Sequence, residues 1–182
     1  GAKFHPTRYD EIYPVSEGLA RVRINDRYGY IDISGGEVLP PVYDEAFPFR
    51  DGFATARLAD KYGFINRITL AFKAKPYVSI GPYGEGLAPA HALSDEGRCG
   101  YIDHDGTMVI PFSFAMCASF DEGLAPVLKK LSGNWGYIDK TGRTVLDFKY
   151  TQAGNFKDGL AKVAVKNAVF YIDSTGKEYR KR

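Results

Sequence analysis

The chain has 182 residues, 45% apolar and 14% aromatic, enough to bury a core in one or two domains. Its 24 basic and 22 acidic side chains leave a net charge of +2, far from the basic balance that binding a phosphate backbone requires, so no nucleic-acid partner is expected. No apolar run approaches the roughly 20 residues of a spanning helix, and no signal-peptide hydrophobic region opens the chain; no membrane insertion is expected, and an export signal removed ahead of Gly1 would leave no trace.

In chain order, a half-repeat holding His5 and Pro6 precedes GLARVRI at 18–24, where Ala20, Val22 and Ile24 alternate with Arg21 and Arg23. That period of two predicts a half-buried strand. The polar turn Asn25-Asp26-Arg27 joins it to a strand over 28–33, giving an antiparallel hairpin. A turn at Asp32-Ile33-Ser34-Gly35 leads to a third strand from about Val38 to Tyr43. The connection from Asp44 to Gly52 has room for a single helical turn at most.

The rest of the chain repeats this plan. YGYID at 28–32 returns as YGFIN at 62–66, CGYID at 99–103, WGYID at 135–139 and VFYID at 169–173. Upstream of each lies EGLA or a variant, with Gly18, Gly52, Gly86, Gly123 and Gly159 spaced by 34, 34, 37 and 36 residues. Nine residues before each Gly stands Tyr9, Tyr43, Tyr77, Phe114 or Tyr150, and three before it Val15, Phe49, Tyr83, Phe120 or Phe156. A repeat of about 35 residues cannot bury its own apolar face, so contacts between repeats must supply the stability.

These motifs, most complete from Asn134 to Tyr150 and Phe156 to Ala161, resemble the WG-repeat family, whose units read W-G-Y-I-D-x-x-G, V-I-P, Y-D and F-x-E-G-L-A. The resemblance covers essentially the whole chain. It implies a bacterial, all-β repeat module of variable copy number with no established chemistry. The departures are that Tyr28, Tyr62, Cys99 and Val169 replace Trp, that Phe170 replaces the motif Gly, and that no D-x-x-G turn follows Asn66. The expected fold is all-β: one domain, 1–182, of five three-stranded repeats at about 3–36, 37–70, 71–107, 108–143 and 144–182 in an open twisted array. The alternative is a closed propeller-like ring or barrel completed by the N-terminal strand, because Pro6 aligns with Pro40 and Pro111 while 176–179 enters the same strand.

Two rows of acids recur once per repeat, and a residue needed in every repeat is needed by the fold. Asp32, Asn66, Asp103, Asp139 and Asp173 precede turns, four of which have Gly at the third following position; an Asx side chain accepts turn N–H groups there. Glu17, Asp51, Glu85, Glu122 and Asp158 precede the EGLA glycine and are expected to cap turn amides in the same way.

Chemistry is therefore sought where the pattern breaks. His5, His91 and His104 have no ligand spacing, and neither C-x-x-C, H-E-x-x-H nor G-x-S-x-G occurs, so no metal, cofactor or catalytic residue is expected. GPYGEG at 81–86 mimics a phosphate loop, but no helix pattern follows it. Cys99 and Cys117 read as small core residues, and their pairing stays open, since it needs Cα atoms within about 7 Å. Candidate partner residues are Lys61, Arg67, Lys73 and Lys75, in a stretch without acids from 61 to 84, together with His91 and Trp135. The tail Tyr179-Arg180-Lys181-Arg182 is a second basic-aromatic segment. Trp135 is expected to pack in a column with Tyr28, Tyr62, Cys99 and Val169; exposed, it would suit a sugar or peptide. These readings favour a non-enzymatic binding or scaffold module with a protein partner. A carbohydrate or cell-envelope ligand held by exposed aromatics is the alternative, and a hydrolase with acids from different repeats is the third.

Overall fold

The structure is a computed structural model and describes residues 8–92 and 97–180; the readings at His5, Pro6, Lys181 and Arg182 lie outside them. Among the described residues there is no helix, and the strands form five antiparallel sheets of four. The chain divides into two compact units, Gly1–Tyr83 and Gly84–Arg182.

The first unit holds one sheet of β1 (Glu11–Ser16), β2 (Leu19–Ile24), β3 (Arg27–Asp32) and β4 (Glu37–Tyr43). A second sheet contains β5 (Glu45–Ala46), β6 (Phe53–Leu58), β7 (Lys61–Asn66) and β8 (Phe72–Ala74), and the short β9 (Ser79–Ile80) follows. The second unit contains β10 (Ala88–His91), β11 (Cys99–Ile102) and β12 (Met108–Phe114). Its next sheet is β13 (Met116–Cys117), β14 (Leu124–Leu128), β15 (Trp135–Asp139) and β16 (Thr144–Tyr150). The last is β17 (Gln152–Lys157), β18 (Leu160–Val165), β19 (Ala168–Ile172) and β20 (Glu178–Tyr179). Its fourth strand, β20, comes from the same repeat.

Each sheet has four strands where the pattern predicts three. The additional strand lies in the stretch that had room for a helical turn. In β5 it is two residues long, with Glu45 opposite Arg57 and Ala46 opposite Ala56; in β13, Met116 faces Leu128 and Cys117 faces Val127. Two residues carry no readable period, so only the partner strand reveals them.

The EGLA motif is the hairpin turn between the first and second strands. Glu17 and Gly18 have φ of 49° and 79°, and Glu122 and Gly123 have 53° and 81°. Positive φ at both central residues defines the type I′ turn that matches the twist of paired strands. The motif glycine after the Trp column has a different cause. A Cβ on Gly29 would meet the Leu39 carbonyl oxygen at 2.6 Å, and one on Gly136 would meet that of Leu146 at 2.8 Å, where the facing strand bulges. Phe170 is tolerated at this position because β20 pairs only at Tyr171 and Ile172 and does not reach it.

Packing between neighbouring sheets is also repeated. Tyr30, Tyr101 and Tyr137 are buried, and their hydroxyls donate to the carbonyls of Phe47, Ala118 and Gly154 in the following repeat at 2.6, 2.7 and 2.8 Å. Their rings lie 4.9, 4.8 and 5.2 Å from Phe49, Phe120 and Phe156. Offset and edge contacts of this kind add to the area term in binding one sheet to the next.

The first row of acids serves turns, as expected. Asp32 Oδ1 accepts from the backbone N–H of Ser34 and Gly36, and Asp103 Oδ1 from those of Asp105 and Thr107. Asn66 accepts from Ile68 and Thr69, and Leu70, at φ 56°, ends that turn without a glycine.

The pairing of Cys99 and Cys117, open in the sequence, is settled by the structure, and Cys99 is buried in the core. They form a disulfide, with Cα atoms 6.0 Å apart. The Trp column of one sheet packs toward the first strand of the next, as Tyr28 with Ala46 and Trp135 with Ala153 in shared core clusters. Cys99 and Cys117 occupy the same two columns, so the bond replaces an aromatic-on-alanine contact.

Candidate functional site

The hairpins between second and third strands differ along the chain. In three repeats they are two-residue turns, Asn25-Asp26, Ala59-Asp60 and Lys166-Asn167, with positive φ at Asn25, Asp26, Ala59, Asp60 and Lys166. In the second unit the equivalent connections run through 92–98, between β10 and β11, and 129–134, between β14 and β15. From turn glycine to Trp column the distances are 10, 10, 13, 12 and 10 residues, whereas from that column to the next glycine the distance is always 24. All length variation between the glycines thus falls in these two loops.

Both loops border one cleft of about 390 Å³. Gly97 and Arg98 line it from the first loop and Lys129 to Ser132 from the second, with Ala115, which links β12 to β13. An Arg98 N–H donates to the Ser113 carbonyl at 2.9 Å. The Lys129 ammonium lies 4.4 Å from the centre of the Phe148 ring. Among the described residues Arg98, Lys129 and Lys130 form no ion pair, whereas Arg23, Arg57, Arg143 and Arg180 all do. The disulfide lies beside the cleft: Cys99 follows Arg98, and Cys117 is two residues past Ala115.

The residues selected from the sequence divide between the two units. Lys61, Arg67, Lys73 and Lys75 belong to the first unit, His91 and Trp135 to the second. Lys61 opens β7 and Arg67 follows its end, about 20 Å apart along an extended strand. Arg67 donates to the Glu17 carbonyl at 3.1 Å and lies over the Phe49 ring, so it joins two repeats. Lys61 and Lys73 are exposed, and Lys75 is half-buried. Strand pairing also brings acid into this region: Glu45 accepts from the Tyr62 hydroxyl at 3.0 Å and pairs with Arg57.

His91 ends β10 at the root of the first loop, opposite Cys99, where burial lowers its pKa. Trp135 starts β15 at the root of the second loop, opposite Leu128, and packs half-buried against a core cluster. Among the described residues, no three His, Cys, Asp or Glu side chains are placed to hold a metal ion.

A second groove, of about 470 Å³, lies on the last sheet, lined in part by Lys162, Val169, Tyr171, Tyr179 and Arg180. Tyr171 and Tyr179 are 46% and 43% exposed.

The sequence profile described as WG containing repeat matches residues 6–28, 28–62, 100–130 and 135–167, more than half of the chain. The chain belongs to this family. No curated protein sequence matches it. Among solved structures it is similar to Kluyveromyces lactis Hsv2p, with TM-score 0.58 and 7% identity, over 94% of this chain and 63% of that one. It is also similar to virginiamycin B lyase from Staphylococcus aureus, with TM-score 0.52 and 16% identity over 93% and 69% of the two chains. A third is the extracellular domain of a hybrid two component system, BT4673, from B. thetaiotaomicron, with TM-score 0.54 and 12% identity over 96% and 29%. The chain spans less than two thirds of the Hsv2p structure and under a third of the BT4673 domain. At such identities the likeness is one of fold.

Proposed function

We propose that this WG-repeat chain is a non-enzymatic binding module of a bacterial protein, and that it holds a protein partner at the cleft lined by Gly97, Arg98, Ala115 and Lys129 to Ser132. The observation that carries this reading is the placement of all the length variation in two hairpins that line one cleft. Insertions in repeat proteins map to loops on one face, often the binding face. The recurring acids weigh against a hydrolase: Asp32, Asp103, Asp139 and Asp173 are engaged in turns, and Glu17, Glu85 and Glu122 bond to backbone N–H groups.

The test is peptide selection from a random library on the immobilised chain, compared with a variant in which both loops are shortened to Asn-Gly turns. Peptides that bind the chain and not the variant are expected. Peptides that bind both equally, or no enrichment, would contradict the reading. The exposed Tyr171 and Tyr179 favour a glycan as the second reading, since aromatic rings suit sugar faces. It requires a glycan-array signal that disappears in Tyr171→Ala/Tyr179→Ala.

A further inference from the structure

We infer that the exposed face of the last sheet is a platform for an acidic glycan: Tyr171 and Tyr179 stack the pyranose rings of an extended, gluco-configured chain, and Lys162 takes one of its carboxylates. This rests on the glycan reading of the groove at Tyr171 and Tyr179, and it is independent of the cleft proposed for a protein partner.

Strand pairing builds the platform. Lys162 stands opposite Tyr171 across β18 and β19, and Tyr171 stands opposite Tyr179 across β19 and β20. Directly opposed residues lie about 5 Å apart at Cβ, so the row spans about 10 Å on one face of the sheet. Ala161, Val163, Phe170 and Ile172 alternate with it along the same strands and point the other way, into the core cluster with Tyr137 and Phe156.

A change of register puts the two tyrosines side by side. In three of the other sheets the pairing shifts between the Tyr and Ile columns: Tyr30 meets Leu39 while Ile31 meets Glu37, and Tyr101 meets Ile110 and Tyr137 meets Leu146 with the same shift. In the last sheet Ile172 meets Glu178 and Tyr171 meets Tyr179 with no shift. An aromatic ring thus takes the place of an aliphatic side chain. Tyr30 and Tyr137 are buried and packed on Phe49 and Phe156 of the following repeat. Tyr171, Tyr179 and Val169 are 46%, 43% and 59% exposed. A repeat that only caps an array carries a polar outer face; this one presents two phenol rings and a valine.

Sugars with apolar faces suit such a row. A gluco-configured pyranose holds its hydroxyls equatorial and turns C–H groups toward an aromatic ring, whose own polar tip stays at the rim. The Tyr179 ring is held ready: its hydroxyl donates to Asp173 at 3.0 Å, and the Lys177 ammonium lies 5.4 Å from its centre. Charge then selects among these sugars. Arg180 is paired with Glu178, and Asp173 is occupied by Thr175, Lys177 and Tyr179. Lys162 is exposed and has no ion-pair partner among the described residues, so its three N–H donors are left for a carboxylate. A second copy of this face would not supply one, since no acid lines the groove.

The experiment is calorimetric titration of the full chain with cellohexaose and with its counterpart oxidised at C6, which carries carboxylates on the same backbone. The oxidised chain is expected to bind roughly fivefold more tightly than the neutral one, and more weakly in high salt. Lys162→Ala should reduce the oxidised chain to the level of the neutral one, and Tyr171→Ala/Tyr179→Ala should abolish binding of both. Lys61→Ala/Lys73→Ala should change neither, and thermal melts check that every variant folds. Equal binding of the two chains, or oxidised-chain binding undiminished in Lys162→Ala, overturns the acidic ligand. So does a glycan array on which only neutral sugars give a tyrosine-dependent signal, and in each of these cases the glycan reading stands. Binding that survives loss of the tyrosines, polyglutamate that competes as well as the oxidised chain, or no binding here and none on the array overturns both.

Discussion

The carboxylate of Glu85 accepts the backbone N–H of Gly123, with its two oxygens at 3.1 and 2.9 Å. Glu85 and Gly123 belong to the EGLA turns of successive repeats, so the acid reaches into the next turn. Glu17 does the same with Gly52, and Glu122 with Gly159. The expectation that this row caps turn amides is correct in kind, but the amide is one repeat further on. Lys140 adds a contact from that repeat to the Glu85 carboxylate at 3.7 Å, at the position matching Arg67, which contacts the Glu17 carbonyl.

Glu85→Ala should therefore destabilise the chain by about 1 kcal/mol, since the bond is charge-assisted but part-exposed, and Glu85→Gln by less. Urea denaturation measures both. No loss in Glu85→Ala would show that the link between turns contributes nothing.

Removing the buried hydroxyl that Tyr137 donates to Gly154 leaves a carbonyl without its partner. Tyr137→Phe should cost about 1–2 kcal/mol. Tyr171 occupies the same column but is exposed, so Tyr171→Phe should change the thermal midpoint hardly at all.

Stability should fall at both extremes of pH. Burial raises the phenol pKa of Tyr30, Tyr101 and Tyr137. In the folded state these groups hold their protons beyond the ordinary value near 10, so stability is lost as pH rises above ~10. At the acid end, the Thr175 hydroxyl and backbone N–H groups hold the Asp173 carboxyl at about 2. Asp32 and Asp139 are lowered for the same reason, through Ser34 and Thr141 first. Their contribution is present above the unfolded pKa near 4 and disappears as pH falls toward about 2. Denaturant midpoints across the pH range check both signs.

Protein prepared without reductant should show no free thiol even when unfolded, and two after reduction, from Cys99 and Cys117. The bond joins residues separated by 18 in sequence, and closing a loop of that size is worth about 3 kcal/mol in the chain-entropy description. Cys99→Ala/Cys117→Ala should lower stability by up to that amount.

The strands and turns were legible because five copies align: Tyr30, Tyr101 and Tyr137 share a column, and so do the turn-forming acids. The two-residue strands such as Glu45–Ala46 were not, since pairing across the sheet defines them and their length shows no period. The surroundings of the basic stretch at 61–84 were not legible, because sequence proximity does not keep Lys61 beside Arg67 and Glu45 arrives from a neighbouring strand. Lys130 and Leu131 stand in no repeated column, whereas Arg98 shares one with Arg27 and Lys61. Their signal was the lengthening of two intervals to 13 and 12 residues against 10 elsewhere, which marks loops and not their contents.

The most direct measurement is hydrogen exchange of the chain with and without a peptide selected on it. Added protection is expected at 97–98, 115 and 129–132, the two long hairpins and the linker between β12 and β13. Protection confined to Lys61–Lys75, or to the groove at Tyr171 and Tyr179, would contradict the placement of the partner site.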